Sequence, residues 1–226
     1  MTVKITAANG GSDSLDFGCA RTAIVATVTG TEVSSGEGKL ELKTTTGGTS
    51  TTQLSIDAAG AATFTTPSTS NMAINLQTAT ATTSGTEIDF TSIPAGVKRI
   101  NVLFNGVSTN GSSIVMVQLG DSGGIETSGY LSNGWTANTN NTASTAGLLL
   151  GGGGGATYIR NGIATISTVA SNAWCFAYAG GVSGAGGGEV SGGTKTTSGT
   201  LDRVRITTVN GSDVFDAGSV NISWEF

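Results

Sequence analysis

The chain has 226 residues, of which 36 are glycine, only 11% are charged and none is histidine. Without histidine, the chain cannot build a Ser-His-Asp or Cys-His catalytic arrangement or a histidine metal site. The net charge of −5 and the lack of a basic cluster argue against nucleic acid as a partner.

Several further classes are excluded by simple patterns. Residues 2–11 lack the apolar segment of a signal peptide, and no run approaches the ~20 apolar residues that span a bilayer. We therefore expect synthesis in a cytoplasm and no membrane insertion. Cys19 and Cys175 lie far apart in the sequence, so we expect no disulfide and interpret both as small buried apolar residues.

The first segment, residues 1–33, contains two strand-like runs at 3–7 and 23–33. In the second run Ile24 and Val28 alternate with Val25, which predicts a strand with at least one covered face. We interpret this segment as an N-terminal attachment or collar element. The alternative is that its strands merely begin the segment that follows.

Residues 34–77 carry a narrow apolar stripe. Apolar residues two positions apart, bounded by turn signals, predict three short strands before the linker around Pro67. The stripe consists of Leu40, Leu42, Leu54, Ile56 and Phe64. One chain leaves this stripe without partners, so burial favours three copies around an axis. We predict a homotrimeric β shaft, with an ordinary meander inside a monomer as the alternative. Met72, Ile74 and Leu76 alternate, which favours a further strand over one helical turn.

The remaining residues, 78–226, predict an antiparallel, jelly-roll-like β-sandwich head. Ile100, Val102 and Phe104 alternate in one strand, and a polar turn at 105–112 predicts a hairpin to residues 114–119. Residues 200–226 supply further strands to cover this pair. The whole chain is therefore expected to be all-β.

Between these strands, residues 127–199 are rich in glycine and poor in charge, which predicts a loop-rich region. Its glycine tracts at 151–155 and 186–188 are expected to let backbones approach closely. Two runs, 157–168 and 173–179, alternate like strands, and we interpret Trp174 and Phe176 as core residues.

Residues 130–141 combine aromatic rings with amides and carry no charge, which suits a neutral glycan. We expect this segment to be a surface loop whose candidate contact residues are Tyr130, Asn133, Trp135, Asn138, Asn140 and Asn141. The alternative is that the two aromatic residues anchor the loop onto the sandwich. Tyr158 and Arg160 are secondary candidates, since an exposed Arg160 would select an acidic sugar.

Catalytic chemistry has little support in the sequence. Glu87 and Asp89 would project from one face of a strand and are the one carboxylate pair worth weighing for glycoside hydrolysis. Asp121, Asp213 and Asp216 are interpreted as turn residues that bond nearby backbone amides. We expect no enzyme, no cofactor and no metal site.

Three blocks in the second part of the chain carry a family resemblance. They read TATTSGTEIDFTSIPAGVKRINVLFNGVST, then IRNGIATIS with NAWCF, then LDRVRITTVNGSDVFDAGSVNISWEF. Together they resemble the C-terminal head domain of bacteriophage and prophage tail-fibre proteins over residues 78–226, and LSIDAAGAATF resembles the shaft repeats that precede such heads. The resemblance implies a trimeric fibre tip on a virion, attached to tail or baseplate proteins through its N-terminus. It also implies contact with a host-surface glycan or protein. Alternatives are a capsid decoration or head-fibre protein and a polysaccharide depolymerase.

Overall fold

A computed structural model of the chain describes residues 12–17, 26–34, 37–46, 49–57, 59–64, 74–137, 141–184 and 187–226. Every regular element in these residues is a β-strand, which confirms the prediction of an all-β protein. No helix in this part of the chain could cross a membrane. The chain divides into two compact units, Met1–Asn71 (unit 1) and Met72–Phe226 (unit 2).

Unit 1 contains one antiparallel sheet of five strands in sequence order. The strands are β1 (Ser12–Phe17), β2 (Ala26–Ser34), β3 (Glu37–Thr46), β4 (Thr49–Ile56) and β5 (Ala62–Phe64). The three short strands predicted after residue 34 correspond to β3, β4 and β5. The strand-like run at residues 3–7 and Cys19 lie outside the described residues.

The predicted apolar stripe lies in register across β3, β4 and β5. Leu42 faces Leu54, which faces Phe64, and Leu40 faces Ile56 in the next row. Leu40 is 41% exposed and Leu42 is 39% exposed, whereas Leu54 and Ile56 are half-buried. The side chain of Phe64 lies outside the described part. The stripe is therefore one continuous apolar surface whose β3 residues stay exposed in the single chain.

Unit 2 has a large sheet of nine strands and a small sheet of five, all paired antiparallel. Its strands are β6 (Asn75–Leu76), β7 (Thr80–Ala81), β8 (Glu87–Phe90), β9 (Arg99–Thr109), β10 (Val115–Asp121), β11 (Gly124–Ile125), β12 (Tyr130–Thr136), β13 (Thr142–Ser144), β14 (Leu148–Leu149), β15 (Ile159–Ala170), β16 (Ala173–Ser183), β17 (Gly187–Thr196), β18 (Arg203–Thr208) and β19 (Phe215–Glu225). The large sheet runs β13-β12-β17-β16-β15-β9-β19-β6, with β7 also on β19. The small sheet runs β11-β10-β18-β8, with β14 also on β10.

One buried apolar cluster takes side chains from both sheets of unit 2. The large sheet contributes Ile100 and Val102, and the small sheet contributes Val117 and Ile206, each with no exposed surface. Full burial of one such side chain is worth roughly 1.5–3 kcal/mol relative to leaving it in water. The shared cluster makes unit 2 sandwich-like, as expected.

The predicted hairpin between residues 100–104 and 114–119 is wrong. β9 pairs with β15 and β19 in the large sheet, whereas β10 pairs with β18 in the small sheet. Every residue of β10 is buried, so this strand needs cover on both faces, which a two-stranded hairpin cannot supply. The chain therefore crosses from one sheet to the other between β9 and β10. The strands predicted in residues 200–226 are β18 and β19, one in each sheet.

The expectation of a loop-rich region at residues 127–199 is also wrong, because β12, β15, β16 and β17 run through it. Glycines sit inside these strands where neighbours approach closely: a Cβ on Gly180 would lie 2.1 Å from Tyr178 Oη. The strands predicted at 157–168 and 173–179 correspond to β15 and β16. Trp174 and Phe176 are core residues as predicted, but Cys175 points to the other face and is exposed, so its interpretation as buried is wrong.

Unit 2 has two distinguishable ends. Asn75 pairs with Trp224 at one edge of the large sheet, and the ring of Phe226 lies beside Gly96 there. We call this end of the strands the near end, because β6 and β19, the first and last strands of the unit, pair there. The far end is the other end of the strands, where β9, β12 and β16 end.

Candidate binding face on strand β12

The strand β12 corrects the expectation of a surface loop. Its residues alternate strictly, so that Leu131, Asn133 and Trp135 are exposed while their neighbours are buried. Trp135 is 44% exposed and Leu131 is 71% exposed. β12 pairs with β13 on one side and with β17 on the other, and this non-local pairing gives a strand to a segment of weak strand propensity. Two of the predicted contact residues, Asn133 and Trp135, therefore project from a sheet, not from a loop.

The buried residues of β12 fix the strand to the layer behind it. The hydroxyl of Tyr130 accepts a hydrogen bond from the Leu119 amide at 2.7 Å and donates one to the Glu126 carbonyl at 2.8 Å. The hydroxyl of Ser132 accepts from the Leu149 amide at 2.9 Å. Burial raises the pKa of Tyr130 above its ordinary value, so the phenol stays neutral. Tyr130 has no exposed surface and cannot contact a ligand. It anchors β12 onto the sandwich, as the alternative interpretation expected.

A shallow groove of about 500 Å³ lies along the outer side of β12. Its lining includes Leu131, Ser132, Asn133, Ala143, Thr145 and Gly192. No charged residue lines it, and small-molecule sites generally occupy roughly 300–1,000 Å³. Trp135 follows Asn133 by two positions on the same face. An aromatic ring, an amide and an uncharged groove therefore share one rigid face.

Glycines shape this face from both sides. A Cβ on Gly134 would lie 2.1 Å from the Gly151 carbonyl oxygen, so only glycine lets the 151–155 tract pack directly behind β12. This confirms the close approach predicted for that tract. Gly192 differs, because an added Cβ there would meet no atom nearer than the Phe176 oxygen at 3.9 Å. Gly192 keeps the floor of the groove open without being required by backbone packing.

Trp135 also ends an apolar row across the large sheet. Trp135 faces Val190, which faces Ala179, which faces Ile163, which faces Leu103. Val190 and Ile163 are each 51% exposed. The exposed side of the large sheet thus carries an apolar row near its far end.

The secondary candidates occupy a different environment. Arg160 has no exposed surface: its Nε donates to Glu189 Oε2 at 3.1 Å and its Nη2 donates to the Gly153 carbonyl at 3.0 Å. The half-buried ring of Tyr158 covers the guanidinium at 5.5 Å. A buried charge needs such partners, so the proposed contact of Arg160 with an acidic sugar is wrong.

The Arg160–Glu189 pair is part of a buried network behind the far end. Burial raises the pKa of Glu189, while Arg160 and the Thr136 hydroxyl partly offset that rise. Thr136 donates to Glu189 Oε1 at 3.1 Å and accepts from the amides of Gly152 and Gly153. The network ties β12, β15 and β17 to the glycine tract.

The other amide candidates are divided. Asn141 is exposed just before β13, close to the far end. Asn138 and Asn140 lie outside the described residues. Asn133, Trp135 and Asn141 are therefore the predicted contact residues that the structure leaves accessible.

The predicted carboxylate pair exists, but it is held by a cation. Glu87 and Asp89 project from the same face of β8, as expected. Arg205 binds both oxygens of Asp89 at 2.7 Å and one oxygen of Glu87 at 2.6 Å. Hydrogen bonding to Asp89 raises the pKa of Arg205. Both carboxylates are therefore engaged in ion pairs with one arginine.

The three aspartates interpreted as turn residues behave differently from one another. Asp121 accepts a hydrogen bond from the Gly123 amide at 2.8 Å, as a turn residue does. Asp213 instead accepts from the Ser113 amide at 2.8 Å and so links the β18–β19 connection to the β9–β10 connection. Asp216 bonds the Ser108 hydroxyl. Among the described residues, no group of three or more cysteine, aspartate or glutamate side chains is placed to hold a metal ion.

The fold and this face define a class only: an all-β protein with a sandwich-like second unit and an uncharged outer face. No family model matches the chain, and no curated protein or solved structure matches it either. Function must therefore be argued from the residues of the face itself.

Proposed function

We propose that the protein is a phage-type tail-fibre or receptor-binding protein that attaches to a neutral glycan on a host surface. The observation that carries this proposal is the outer face of β12. There Asn133 lines an uncharged groove, and the exposed Trp135 lies two positions further along the same face. A sugar presents an apolar ring face to an aromatic side chain and hydroxyls to an amide.

The outer face of β12 is exposed and held in place by its own strand pairing. Trp135 is the penultimate residue of β12 and lies near the far end, away from the edge where unit 2 begins. Hydrogen bonds from the layer behind hold the strand in place, so little ordering is needed on binding. A preorganised, exposed aromatic face suits a binding protein.

The proposal includes a parallel homotrimer with unit 1 as its shaft. In support, the exposed Leu40 and Leu42 continue the apolar stripe of β4, and three copies around an axis would bury it. The N-terminal segment would join tail or baseplate proteins, and the chain would be made in the host cytoplasm before assembly into the virion.

Adsorption of the purified protein to host cells tests the proposal. Trp135→Ala is expected to reduce adsorption by about tenfold or more while leaving the melting temperature unchanged, since the ring is partly exposed. Val209→Ala, which removes an exposed side chain from the turn after β18, is the control and should adsorb normally. Normal adsorption of the Trp135 variant, or a lowered melting temperature, would show that the ring is structural. Immunogold labelling of virions separates a tail position from a capsid position.

A further inference from the structure

A second concavity lies at the near end of unit 2. It has a volume of about 620 Å³ and is formed by the segment before β9, the β15–β16 turn and the segment after β17. Its lining includes Lys98, Ser171, Asn172, Trp174, Thr200 and Leu201. The groove on β12 shares none of these residues. We call this concavity the Lys98 cleft.

The cleft contains a cation without a counter-charge. Every other lysine and arginine of unit 2 forms an ion pair with a carboxylate; these are Arg99, Arg160, Lys195, Arg203 and Arg205. Lys98 is exposed and pairs with no carboxylate among the described residues. Asp202 follows Leu201 in the sequence, and the Glu225 carbonyl accepts a hydrogen bond from the Lys98 amide at 2.8 Å. The side chains of both acidic residues are already bound, by Arg203 and Arg99 respectively. The positive charge of Lys98 is therefore free to attract an anion.

The wall of the cleft holds a donor without an acceptor. Trp174 is 6% exposed, and its Nε1 is buried with no hydrogen-bond partner in the described part of the chain. An indole nitrogen can only donate, and buried donors normally have a partner. The side chains of Ser171, Asn172 and Thr200 likewise make no hydrogen bond to other described residues. Leu201 also lines the cleft, and nearly all of its side chain is buried.

We infer that the Lys98 cleft binds the carboxylate of an acidic monosaccharide, such as a uronic acid. The ammonium of Lys98 neutralises the carboxylate, because charge-assisted hydrogen bonds are the strong ones in such sites. The free hydroxyls of Ser171 and Thr200 and the free amide of Asn172 match sugar hydroxyls. This site is independent of the proposed function, because it lies at the other end of unit 2 from Trp135.

Calorimetric titration of the full chain with a matched pair of sugars tests the charge preference. Methyl glucuronoside is expected to bind at least about tenfold more tightly than methyl glucoside. Lys98→Met should abolish that ratio without affecting the fold, since Lys98 is exposed. Arg205→Met removes a cation whose partners, Glu87 and Asp89, lie outside the cleft, and should leave the ratio unchanged. Equal binding of the two sugars, or a ratio that survives Lys98→Met, overturns the inference.

The indole signals locate the bound sugar. The chain has three tryptophans, so its nitrogen–proton spectrum has three indole peaks, and Trp174→Phe identifies one of them. That peak is expected to shift on adding methyl glucuronoside and to stay in place with methyl glucoside. Acetate serves as a further probe. If the Trp174 peak stays still, or if acetate matches the glucuronoside in affinity, a sugar carboxylate is not the ligand.

Discussion

At the residue scale, Arg160 shows that a charged side chain in this low-charge chain can form a buried ion pair and not a ligand contact. Arg160 looked like a ligand contact because so few charges surround it in sequence. In the fold it lies opposite Glu189 with no exposed surface on either side chain. Two charges taken out of water need each other, so removing one partner costs far more than removing both.

The first prediction concerns this pair. Arg160→Met is expected to lower the free energy of unfolding by about 3–5 kcal/mol, because it leaves the Glu189 carboxylate buried and unpaired. The double variant Arg160→Met/Glu189→Leu should recover most of that loss. Urea unfolding measures both.

A surface pair provides the comparison for that prediction. Arg99→Met removes the exposed partner of Glu225 and should change the free energy of unfolding by less than about 1 kcal/mol. Equal losses for the two arginine variants would contradict the view that burial sets the difference.

The second prediction concerns pH. A hydrogen bond from the Ser198 hydroxyl, helped by the Gly123 amide, lowers the pKa of Asp121 below the ordinary value of an aspartate. Between the folded and unfolded values the folded state binds fewer protons, so stability rises with pH there and is lost as pH falls through the folded value. Asp121→Asn should reduce the fall of the melting temperature as the pH is lowered from 4.

Ser198→Ala separates this cause from a general loss of charge. It removes the largest contribution to the lowered pKa of Asp121 but keeps the carboxylate, so it should flatten the same part of the melting profile. An unchanged profile in both variants would show that Asp121 does not link stability to acid.

At the element scale, glycine has opposite uses on neighbouring strands. Gly134 is required because the 151–155 tract packs against its missing side chain. Gly192 on β17 is sterically free and leaves the groove open. Sequence composition does not distinguish the two glycines and suggests loops for both. In the sheet, Gly134 allows a close backbone contact and Gly192 leaves the floor of the groove open.

The third prediction uses this difference. Gly192→Val should fill the groove on β12 and reduce glycan or cell binding by about tenfold, because its side chain takes the space of the ligand. Gly188→Val is the matched control on the same face of β17, since Gly188 does not line the groove. An added Cβ at position 188 meets its nearest atom at 3.6 Å, an ordinary contact.

Both valine variants should fold normally, and thermal melting checks this. Reduced binding by the Gly188 variant to the same extent would mean that the ligand lies elsewhere on the face. Normal binding by the Gly192 variant would remove the groove from the proposed site.

At the scale of the whole molecule, two exposed apolar surfaces bear on assembly. The apolar stripe of unit 1 has exposed residues, and unit 2 has an exposed apolar row that ends at Trp135. The proposed trimer assigns the first to self-association and leaves the face of β12 to the ligand. The two surfaces can be tested separately.

The fourth prediction is therefore made on unit 1. Leu54→Asp would place unpaired carboxylates against the axis of the proposed trimer and cost on the order of several kcal/mol per assembly. We expect light scattering to show loss of the trimer while unit 2 stays folded. Thr63→Asp, at an exposed position of β5, should leave the mass unchanged. A monomeric mass for the unaltered protein would refute the trimer itself.

Local patterns in the sequence determined much of the strand content. The alternation of Ile100, Val102 and Phe104, and of Trp174 and Phe176, identified strands and buried faces because a period of two records which side of a strand is covered. The stripe of Leu40 and Leu54 was likewise identified as one apolar surface. These features depend on neighbours within a few residues.

Pairing and burial were decided only by the tertiary structure. β9 does not pair with β10, because β10 pairs instead with β18, about 90 residues further along the sequence. β12 is a strand because β13 and β17 flank it. The burial of Arg160 depends on Glu189, and the Lys98 cleft is assembled from three separate segments. Local periodicity carries no information about such partners, because non-local burial and ion pairing are settled only when the sheets pack.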